Sequence, residues 1–484
     1  MKKSYFLIQL TALISFLICL FNAGNIDGAY SLVIVYPLVY GVFSFIICAM
    51  LSNNQAGSRL TVAIYLAIQW LRNVLMPATA SLSGYLSSAS GVADADSANL
   101  ATYLCLFELV VTSVLCCFLL KYSKKKKEIE VEEYTLSGNP MVYTVYVLFA
   151  GVLYILFGRT LFTFFSLSLT GSRAAGVDRN MVLHALIGYG LTFLVILLIY
   201  YCYRGYKNTG ENKYFWFALA IAIIRIGIIS SESENRISIL YSMGAFALLL
   251  PRLFPKKKKT ILRSTIAMAG AMILVMTVYK SFHAFLYDSY LEALSRQSGR
   301  FGLFDISSTV NTYFYGVQTV ARNLFVSKSV GLSFKTYVAD FINNTFGLNR
   351  LIKLDTPLTI AQYNEYIYNG RSSSGYLYSA IAYGYEYYSV VLAPLATIIN
   401  ILIVAFIENR LNRIKSIDVF QIICIVFIRF AYTMFACFPM SWNYVSRSLV
   451  LGFLIIGGAS VFRRVRLPEI KKKKIEKESN ESNL

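Results

Sequence analysis

Apolar runs long enough to cross a lipid bilayer recur along almost the whole chain. A transmembrane helix needs about 20 mostly apolar residues, and 57% of the 484 residues are hydrophobic. We therefore predict an all-α polytopic membrane protein with about twelve transmembrane helices. The predicted spans are residues 5–22, 30–51, 60–80, 101–120, 141–158, 181–203, 214–229, 237–250, 264–279, 389–407, 419–437 and 448–462.

Three lysine runs predict the orientation of these spans. They comprise residues 124–127, 256–259 and 471–474, and basic loops remain in the cytoplasm. Twelve spans then place both termini of this multi-pass protein in the cytoplasm. The predicted organisation is helices 1–9 with short loops in residues 1–280, a large extracytoplasmic loop in 281–388, helices 10–12 in 389–462 and a basic cytoplasmic tail in 463–484.

The extracytoplasmic stretch of about a hundred residues is the longest departure from the membrane. The other connections on that side have roughly twenty residues or fewer. Structureless loops longer than about 12–15 residues are uncommon in compact proteins and are usually functional. The stretch is rich in arginine and tyrosine, so we expect it to form part of a site facing outward. Its last part, residues 376–388, also fits a re-entrant or interfacial segment.

In the predicted topology, arginine and lysine are distributed differently between the two sides of the membrane. Of 23 lysines, 19 fall on the cytoplasmic side, whereas ten of 22 arginines fall outside. The planar guanidinium group binds phosphate or carboxylate through two parallel hydrogen bonds, which an ammonium group cannot do. The outer arginines therefore indicate an anionic ligand, the alternative being that they pair with outer acids or anchor at lipid headgroups.

Three arginines lie within predicted spans, namely Arg72, Arg225 and Arg429. Each costs about 2.5–3.5 kcal/mol or more at the centre of a membrane helix, so such residues usually face a polar cavity. We expect a cavity that opens outward. For Arg225, which is near its helix end, snorkelling to the outer surface is the alternative.

Two short outer connections hold further charged candidates. Arg159, Arg173 and Arg179 accompany small residues that allow a ligand to approach the backbone closely, unless this is an ordinary polar connection. The turn SSESENR contains Glu232 and Arg236. A carboxylate placed beside a cation can act as a general base, although acids in exposed turns are more often only solvated.

The large loop adds an acid, arginines and tyrosines. Asp305 is a second candidate base, and Arg322 and Arg371 are further cations. Tyrosine offers a flat apolar face with a polar tip, which suits stacking on sugar rings or residence at the membrane interface. The candidates for sugar stacking are Tyr363, Tyr366 and Tyr368.

Several function classes are disfavoured by the sequence. It has no Walker-type loop, Rossmann fingerprint or HExxH motif, and its only histidines are His184 and His283. We therefore expect no metal and no cofactor. The basic runs are separate and short, which argues against nucleic-acid binding. Because the cytoplasmic loops are too short for a nucleotide-using domain, a reaction must use an activated substrate such as a lipid-linked diphosphate.

These features together resemble the Wzy-type polysaccharide polymerases of the O-antigen and capsule pathways. The resemblance is carried by the number of spans, the large outer loop before the last three helices, the arginine-bearing outer loops and the segment NGRSSSGYLYSAIAYGYEYYSVVL. That segment is similar to the serine–glycine–aromatic stretch of the family, with counterparts at Ser372, Ser373, Ser374 and Gly384. The chain departs from some family members in two ways. No Arg-x10-Gly spacing starts at Arg159, Arg173, Arg300, Arg322 or Arg371, and Tyr378 stands where an acid is common.

The resemblance implies a glycosyltransferase with a GT-C-like fold that joins oligosaccharide repeat units carried on undecaprenyl diphosphate. It also implies membrane lipid, a flippase and a chain-length regulator as partners. We assign general-base catalysis to Glu232 or Asp305 and diphosphate binding to a group of arginines, with others supporting the cavity. The diphosphate-binding candidates are Arg173, Arg179, Arg225 and Arg371, and the supporting ones are Arg72, Arg159, Arg236, Arg322 and Arg429.

Two other functions fit the same sequence. A flippase or transporter for lipid-linked oligosaccharide would also have about twelve spans with intramembrane arginines, although no internal repeat is evident. A ligase that moves finished glycan to another acceptor is hardly separable from a polymerase by sequence.

Overall fold

A computed structural model describes most of the chain. The described residues are 3–53, 58–86, 91–122, 133–161, 181–233, 236–268, 270–271, 291–292, 294–295, 303–352, 354–367 and 378–464. Within them every named element is a helix, and extended pairing is limited to two isolated bridges, Thr135 with Ser416 and Ser379 with Ala436. The predicted all-α fold class is confirmed for these residues.

The helices form a bundle with a helical insertion. They are α1 (Lys3–Phe21), α2 (Tyr36–Asn53), α3 (Arg59–Trp70), α4 (Met76–Ser83), α5 (Ala95–Tyr122), α6 (Pro140–Leu161), α7 (Met181–Thr209), α8 (Asn212–Ser233), α9 (Arg236–Leu253), α10 (Leu303–Tyr313), α11 (Val317–Val330), α12 (Phe334–Asn344), α13 (Leu348–Leu351), α14 (Thr359–Ile367), α15 (Ala380–Leu392), α16 (Leu395–Leu411), α17 (Ile417–Tyr432) and α18 (Phe438–Arg464). A 3-10 helix, Gly28–Val35, precedes α2, and a π-helical turn, Leu71–Leu75, joins α3 to α4.

Six helical stretches of the described chain are long and apolar enough to cross a membrane. They are Gly28–Ser52, Arg59–Ser83, Ala95–Tyr122, Pro140–Gly158, Val182–Thr209 and Phe438–Phe462, and the bent pair α15–α16 makes a seventh if it counts as one span. The chain is thus a multi-pass helical membrane protein. The predicted spans at 214–229, 237–250 and 419–437 are helices α8, α9 and α17 outside this set, and part of span 264–279 lies outside the described residues.

Basic connections gather at one end of the bundle, which we call the basic end (residues 133–139, 203–212, 252–259 and 408–418). Arg252 donates hydrogen bonds to the carbonyl oxygens of Leu411 and Ile414, both at 2.8 Å. Asp418 accepts one from the amide of Ser137 at 2.9 Å. These bonds tie the connections after α5, α9 and α16 to each other by satisfying helix-end groups that lack intrahelical partners.

The insertion between α9 and α15 packs against the opposite end, which we call the loop end (residues 76–86, 91–105, 310–344 and 378–393). Val317, Val320 and Leu324 of α11 share an apolar core with Ala101 and Leu104 of α5. The described part of the predicted large loop is therefore mostly helical, with its own buried residues. Burial of these apolar faces holds the insertion on the bundle.

Helices α15 and α16 meet at an angle of 110°, where the sequence predicts the start of one span. Ser389 lies just before the bend with φ 74°, a conformation that is uncommon for non-glycine residues. Gly384 faces the backbone carbonyl of Ala393 so closely that any Cβ there would clash. The predicted span 389–407 therefore begins inside a sharp turn, a geometry that also fits the re-entrant segment expected near 376–388.

Candidate functional site

Two arginines lie against the ring of one tyrosine near the loop end. The Cζ atom of Arg429 lies 3.5 Å from the ring centroid of Tyr444, and that of Arg447 lies 5.4 Å from it. Arg429 also lies 4.8 Å from the ring of Tyr241. These four residues are the Arg429–Arg447 site, and their distances are those of cation–π contacts.

The site is assembled by three helices. Arg429 is in the last turn of α17, and Tyr444 and Arg447 are three residues apart on α18, hence on one face of it. Gly244 of α9 lies against Ile428, so closely that a Cβ would touch that side chain. This approach of α9 to α17 brings Tyr241, one turn before Gly244, over the Arg429 guanidinium group.

The same turns of α18 are also contacted by the helical insertion. Trp442 donates a hydrogen bond from Nε1 to Thr345 Oγ1 at 2.9 Å, and Asn443 donates one from Nδ2 to Asn344 Oδ1 at 3.0 Å. The Ser446 hydroxyl accepts a bond from the amide of Phe346 at 3.1 Å. The insertion thereby fixes the turn of α18 that presents Tyr444 and Arg447.

A row of aromatic rings continues from the site to the insertion. The ring of Tyr432 is 5.9 Å from that of Tyr241 and 5.8 Å from that of Phe314. Its hydroxyl donates to the carbonyl of Tyr313 at 3.3 Å. Tyr189 of α7 lies within electrostatic range of both arginines. Aromatic surface beside cations is suited to a ligand with a charged group next to sugar rings.

The charge of the site is uncompensated within the described part of the chain. The ion pairs found there involve other residues, namely Arg72–Glu108, Lys207–Glu133, Lys213–Glu211 and Lys328–Asp94. Neither Arg429 nor Arg447 joins them. Two neighbouring guanidinium groups repel each other, and a cation–π contact offers only about 0.5–2 kcal/mol to each. An anion that spans both would remove the repulsion, and Tyr444 is exposed enough, at 42%, to admit one.

Several predicted residues lie on chain segments that end near this site. Helices α7 and α9 finish at the basic end, so their first residues lie at the loop end, as do the last residues of α6 and α8. The backbones of Arg159, Glu232 and Arg236 are helical at these ends. Arg173 and Arg179, in the connection from α6 to α7, lie outside the described residues.

Arg72 is enclosed in a different part of the bundle. Its Nη2 atom is 2.8 Å from Glu108 Oε2, and the two side chains are 4% and 1% exposed. Thr397 of α16 donates a hydrogen bond to the other oxygen of Glu108, and Phe435 covers the guanidinium group at 4.2 Å. A polar cavity was predicted at Arg72, whereas its ion pair with Glu108 was not predicted. A carboxylate inside the apolar run TYLCLFELVV was the available signal.

Two further predicted arginines have environments of their own. Arg225 is 8% exposed on α8. Arg322 donates to the carbonyl of Val92 at 2.7 Å and lies 4.9 Å from the ring of Phe325, so it links α11 to the segment before α5. Arg371 lies outside the described residues.

The tyrosines expected to bind sugar have contrasting environments. Tyr363 is 1% exposed and packs edge-on against Tyr378 at 5.3 Å, inside the insertion. Tyr366 is 40% exposed. Tyr368 lies outside the described residues. Of the three, only Tyr366 presents a described ring surface to a ligand.

Asp340 is buried where the insertion meets α15, and it was not among the predicted site residues. Asp340 accepts hydrogen bonds from the amide and hydroxyl of Thr359, at 2.9 and 2.6 Å, and from the hydroxyl of Tyr383 at 3.1 Å. Burial raises the pKa of the Asp340 carboxyl, against the lowering effect of these bonds. The predicted base Asp305 is in α10, and the structure describes its backbone only.

Within the described ranges, no three side chains among His, Cys, Asp and Glu are grouped as metal ligands. What the Arg429–Arg447 site can do is bind a group with two or more negative charges and stabilise charge that develops on it. The chain matches no protein-family model, no curated protein and no solved structure.

Proposed function

We propose that this chain is a glycosyltransferase that polymerises oligosaccharide repeat units carried on undecaprenyl diphosphate. The single observation that carries the proposal is the pair Arg429 and Arg447, two cations on one aromatic ring at the loop end that form no ion pair with a described carboxylate. A diphosphate is the anion that two adjacent guanidinium groups fit best. The resemblance to the Wzy-type polymerases supports the same substrate.

The proposed topology has twelve spans in the bacterial inner membrane. The basic end, with Arg252 and lysines 256–259, faces the cytoplasm under the positive-inside rule. The loop end and the helical insertion then face outward, and both termini are cytoplasmic. In this arrangement the Arg429–Arg447 site lies in the outer leaflet, where it can meet the diphosphate of an exported lipid-linked sugar.

The proposed reaction transfers the growing chain from its lipid carrier to a new repeat unit. The bond between the anomeric carbon and the diphosphate oxygen breaks, and the terminal sugar hydroxyl of the new unit forms the glycosidic bond. The hydroxyl proton passes to a carboxylate, for which Glu232 is the first candidate and Asp305 the second. Undecaprenyl diphosphate leaves with added negative charge, which the arginines stabilise.

Within this proposal Arg429 acts on the diphosphate directly and Arg447 joins it. Arg173 and Arg179 belong to the connection between α6 and α7, whose outer ends are on the same side of the bundle. Arg225 and Arg371 remain candidates for the same role. Arg72 is assigned to structure because Glu108 already neutralises it.

Charge removal at the site tests the proposal. Arg429→Gln and Arg447→Gln should each reduce polymer formation by about 10²-fold, the usual effect of deleting a group that stabilises transition-state charge. The measurement is the length distribution of surface glycan in a gene-deletion strain that expresses each variant at wild-type level.

Arg410→Gln is the matched control. Arg410 also stacks on an aromatic ring, Phe406 at 5.0 Å, but belongs to the basic end, so its loss should leave the polymer unchanged. Wild-type chain lengths in both Arg429→Gln and Arg447→Gln would refute the role of the site. The parent deletion strain separates the classes of function: single exported units indicate a polymerase, and long lipid-linked chains without acceptor indicate a ligase.

A flippase or transporter is the second candidate, favoured by one observation. Helices α15 and α16 form a span broken at 110°, and Thr397 just after the break binds the buried Arg72–Glu108 pair. Broken helices beside intramembrane charges are typical of transporters. In that case the deletion strain should accumulate lipid-linked units on the inner face of the membrane.

A further inference from the structure

An apolar groove of about 730 Å³ runs between α1 and α3. Helix α1 packs on α2 and α4, and the side of α3 that carries Ala63 and Ala67 stays exposed. Ala63 and Ala67, one turn apart, form an exposed floor of the groove, and Leu7, Ile8 and Leu60 form its walls. The volume is within the range of small-molecule sites.

The length of the groove is close to the thickness of one bilayer leaflet. It follows α3 from Arg59 to Leu71, which is about 18 Å at the rise of an α-helix. Half of a hydrocarbon core is about 15 Å. At the far end the indole of Trp70 donates a hydrogen bond to Thr11 Oγ1 at 2.9 Å. The groove thus starts at the basic end and stops near mid-membrane.

Arg59 places a positive charge at the mouth of the groove. Its Nη2 atom donates to the carbonyl of Leu51 at 2.8 Å, which holds the guanidinium group beside the end of α2. The side chain is half-buried and makes no ion pair with the described carboxylates. A guanidinium group has five N–H donors, so further donors are left for a phosphate.

We infer that this groove binds one anionic glycerophospholipid, with an acyl chain along Ala63 and Ala67 and the phosphate on Arg59. The apolar length fits a chain that spans one leaflet, and the charge fits the phosphate at its surface. Because the groove opens at the basic end and the Arg429–Arg447 site lies at the loop end, this lipid is distinct from the proposed substrate. The lipid would then lie between α1 and α3.

The test uses the full-length protein in nanodiscs with spin-labelled phosphatidylglycerol or phosphatidylcholine. Ala67→Trp, which fills the groove, should reduce the immobilised phosphatidylglycerol component by about one lipid per protein. Arg59→Gln should retain the chain signal but reduce the preference for phosphatidylglycerol over phosphatidylcholine about five-fold or more. Val152→Trp, at a 54% exposed position of α6, is the control for added surface bulk and should change neither.

Some results would overturn the inference. They include an unchanged immobilised component in a folded Ala67→Trp protein, displacement of the label by undecaprenyl phosphate in preference to phosphatidylglycerol, and a change of oligomeric state on filling the groove. If Ala67→Trp does not fold, Ala63→Leu replaces it, and the Arg59→Gln comparison tests the headgroup contact independently.

Discussion

At the scale of single residues, arginine occupies two contrasting environments in this bundle. Arg72 is paired with Glu108, which satisfies its charge inside the protein. Arg429 and Arg447 have aromatic rings for partners and no carboxylate among the described residues. Removing one member of a buried pair costs about 3–5 kcal/mol because the other charge is left alone. We propose that Arg429 and Arg447, which no described carboxylate neutralises, bind an anion instead.

The stability of the insertion should depend on pH because the Asp340 carboxyl is buried. Burial raises the pKa of this carboxyl in the folded protein, so its contribution to stability is complete below the unfolded value of about 3.9 and is lost as pH rises through the folded value. The attachment of the insertion should therefore weaken as pH increases from about 4. Asp340→Asn should flatten this dependence, as measured by limited proteolysis of the insertion across the pH series.

Asp355→Asn is the control for this pH effect. Asp355 is an exposed carboxylate of the same insertion, so its replacement should leave the pH dependence of proteolysis as in the wild type. If the pH dependence of proteolysis in Asp340→Asn equalled that of the wild-type protein, another group would be responsible for it.

At the scale of elements, the bend between α15 and α16 depends on the absence of one side chain. Gly384 faces the carbonyl of Ala393 at a separation that excludes a Cβ. Gly384→Ala should therefore force the two helices apart and destabilise the protein by about 1–3 kcal/mol, the range for overpacking a well-filled site. The measurement is the free energy of unfolding in detergent, together with the accessibility of the α15–α16 connection.

The comparison variant is Gly151→Ala on α6, where no atom lies within 4 Å of the added methyl group. There the free energy of unfolding should rise by roughly 0.5–1 kcal/mol because alanine has a better helix propensity than glycine. If both variants behaved alike, the close packing of Gly384 would not be what holds the bend.

At the scale of the whole molecule, the basic end and the helical insertion lie at opposite ends of the bundle. The insertion is tied to α18 through Trp442 and Asn443, on the turn that carries Tyr444 and Arg447. The insertion therefore contacts the helix turn that carries two residues of the Arg429–Arg447 site. This connection gives the insertion a positioning role even though its described acids and arginines do not contact the site.

The proposed orientation can be measured by cysteine labelling in intact cells. Phe334→Cys, at a position 76% exposed on α12, should react with a membrane-impermeant maleimide from outside. Glu211→Cys, in the exposed connection between α7 and α8, should react only after permeabilisation. The wild-type protein is the background control, since its eight free cysteines are buried or half-buried. Reaction of both variants from the same side would contradict the topology.

Much of the helical framework follows from local properties of the chain. Apolar length predicts where helices cross, because each turn adds a fixed rise and the bilayer has a fixed thickness. The predicted spans 30–51, 60–80, 101–120, 141–158, 181–203 and 448–462 each overlap a helix long enough to cross. The break in the span at 389–407 was missed because hydropathy does not register a change of direction at Ser389.

What the sequence determined by itself was the all-helical class, the membrane setting and the presence of intramembrane arginines. The tertiary structure alone decided which arginine has a carboxylate partner among the described residues. Glu108 is 36 residues from Arg72, and Tyr444 is 15 residues from Arg429 on another helix. Such partners meet through helix packing, and packing depends on side-chain shape across the bundle rather than on any local pattern in the sequence.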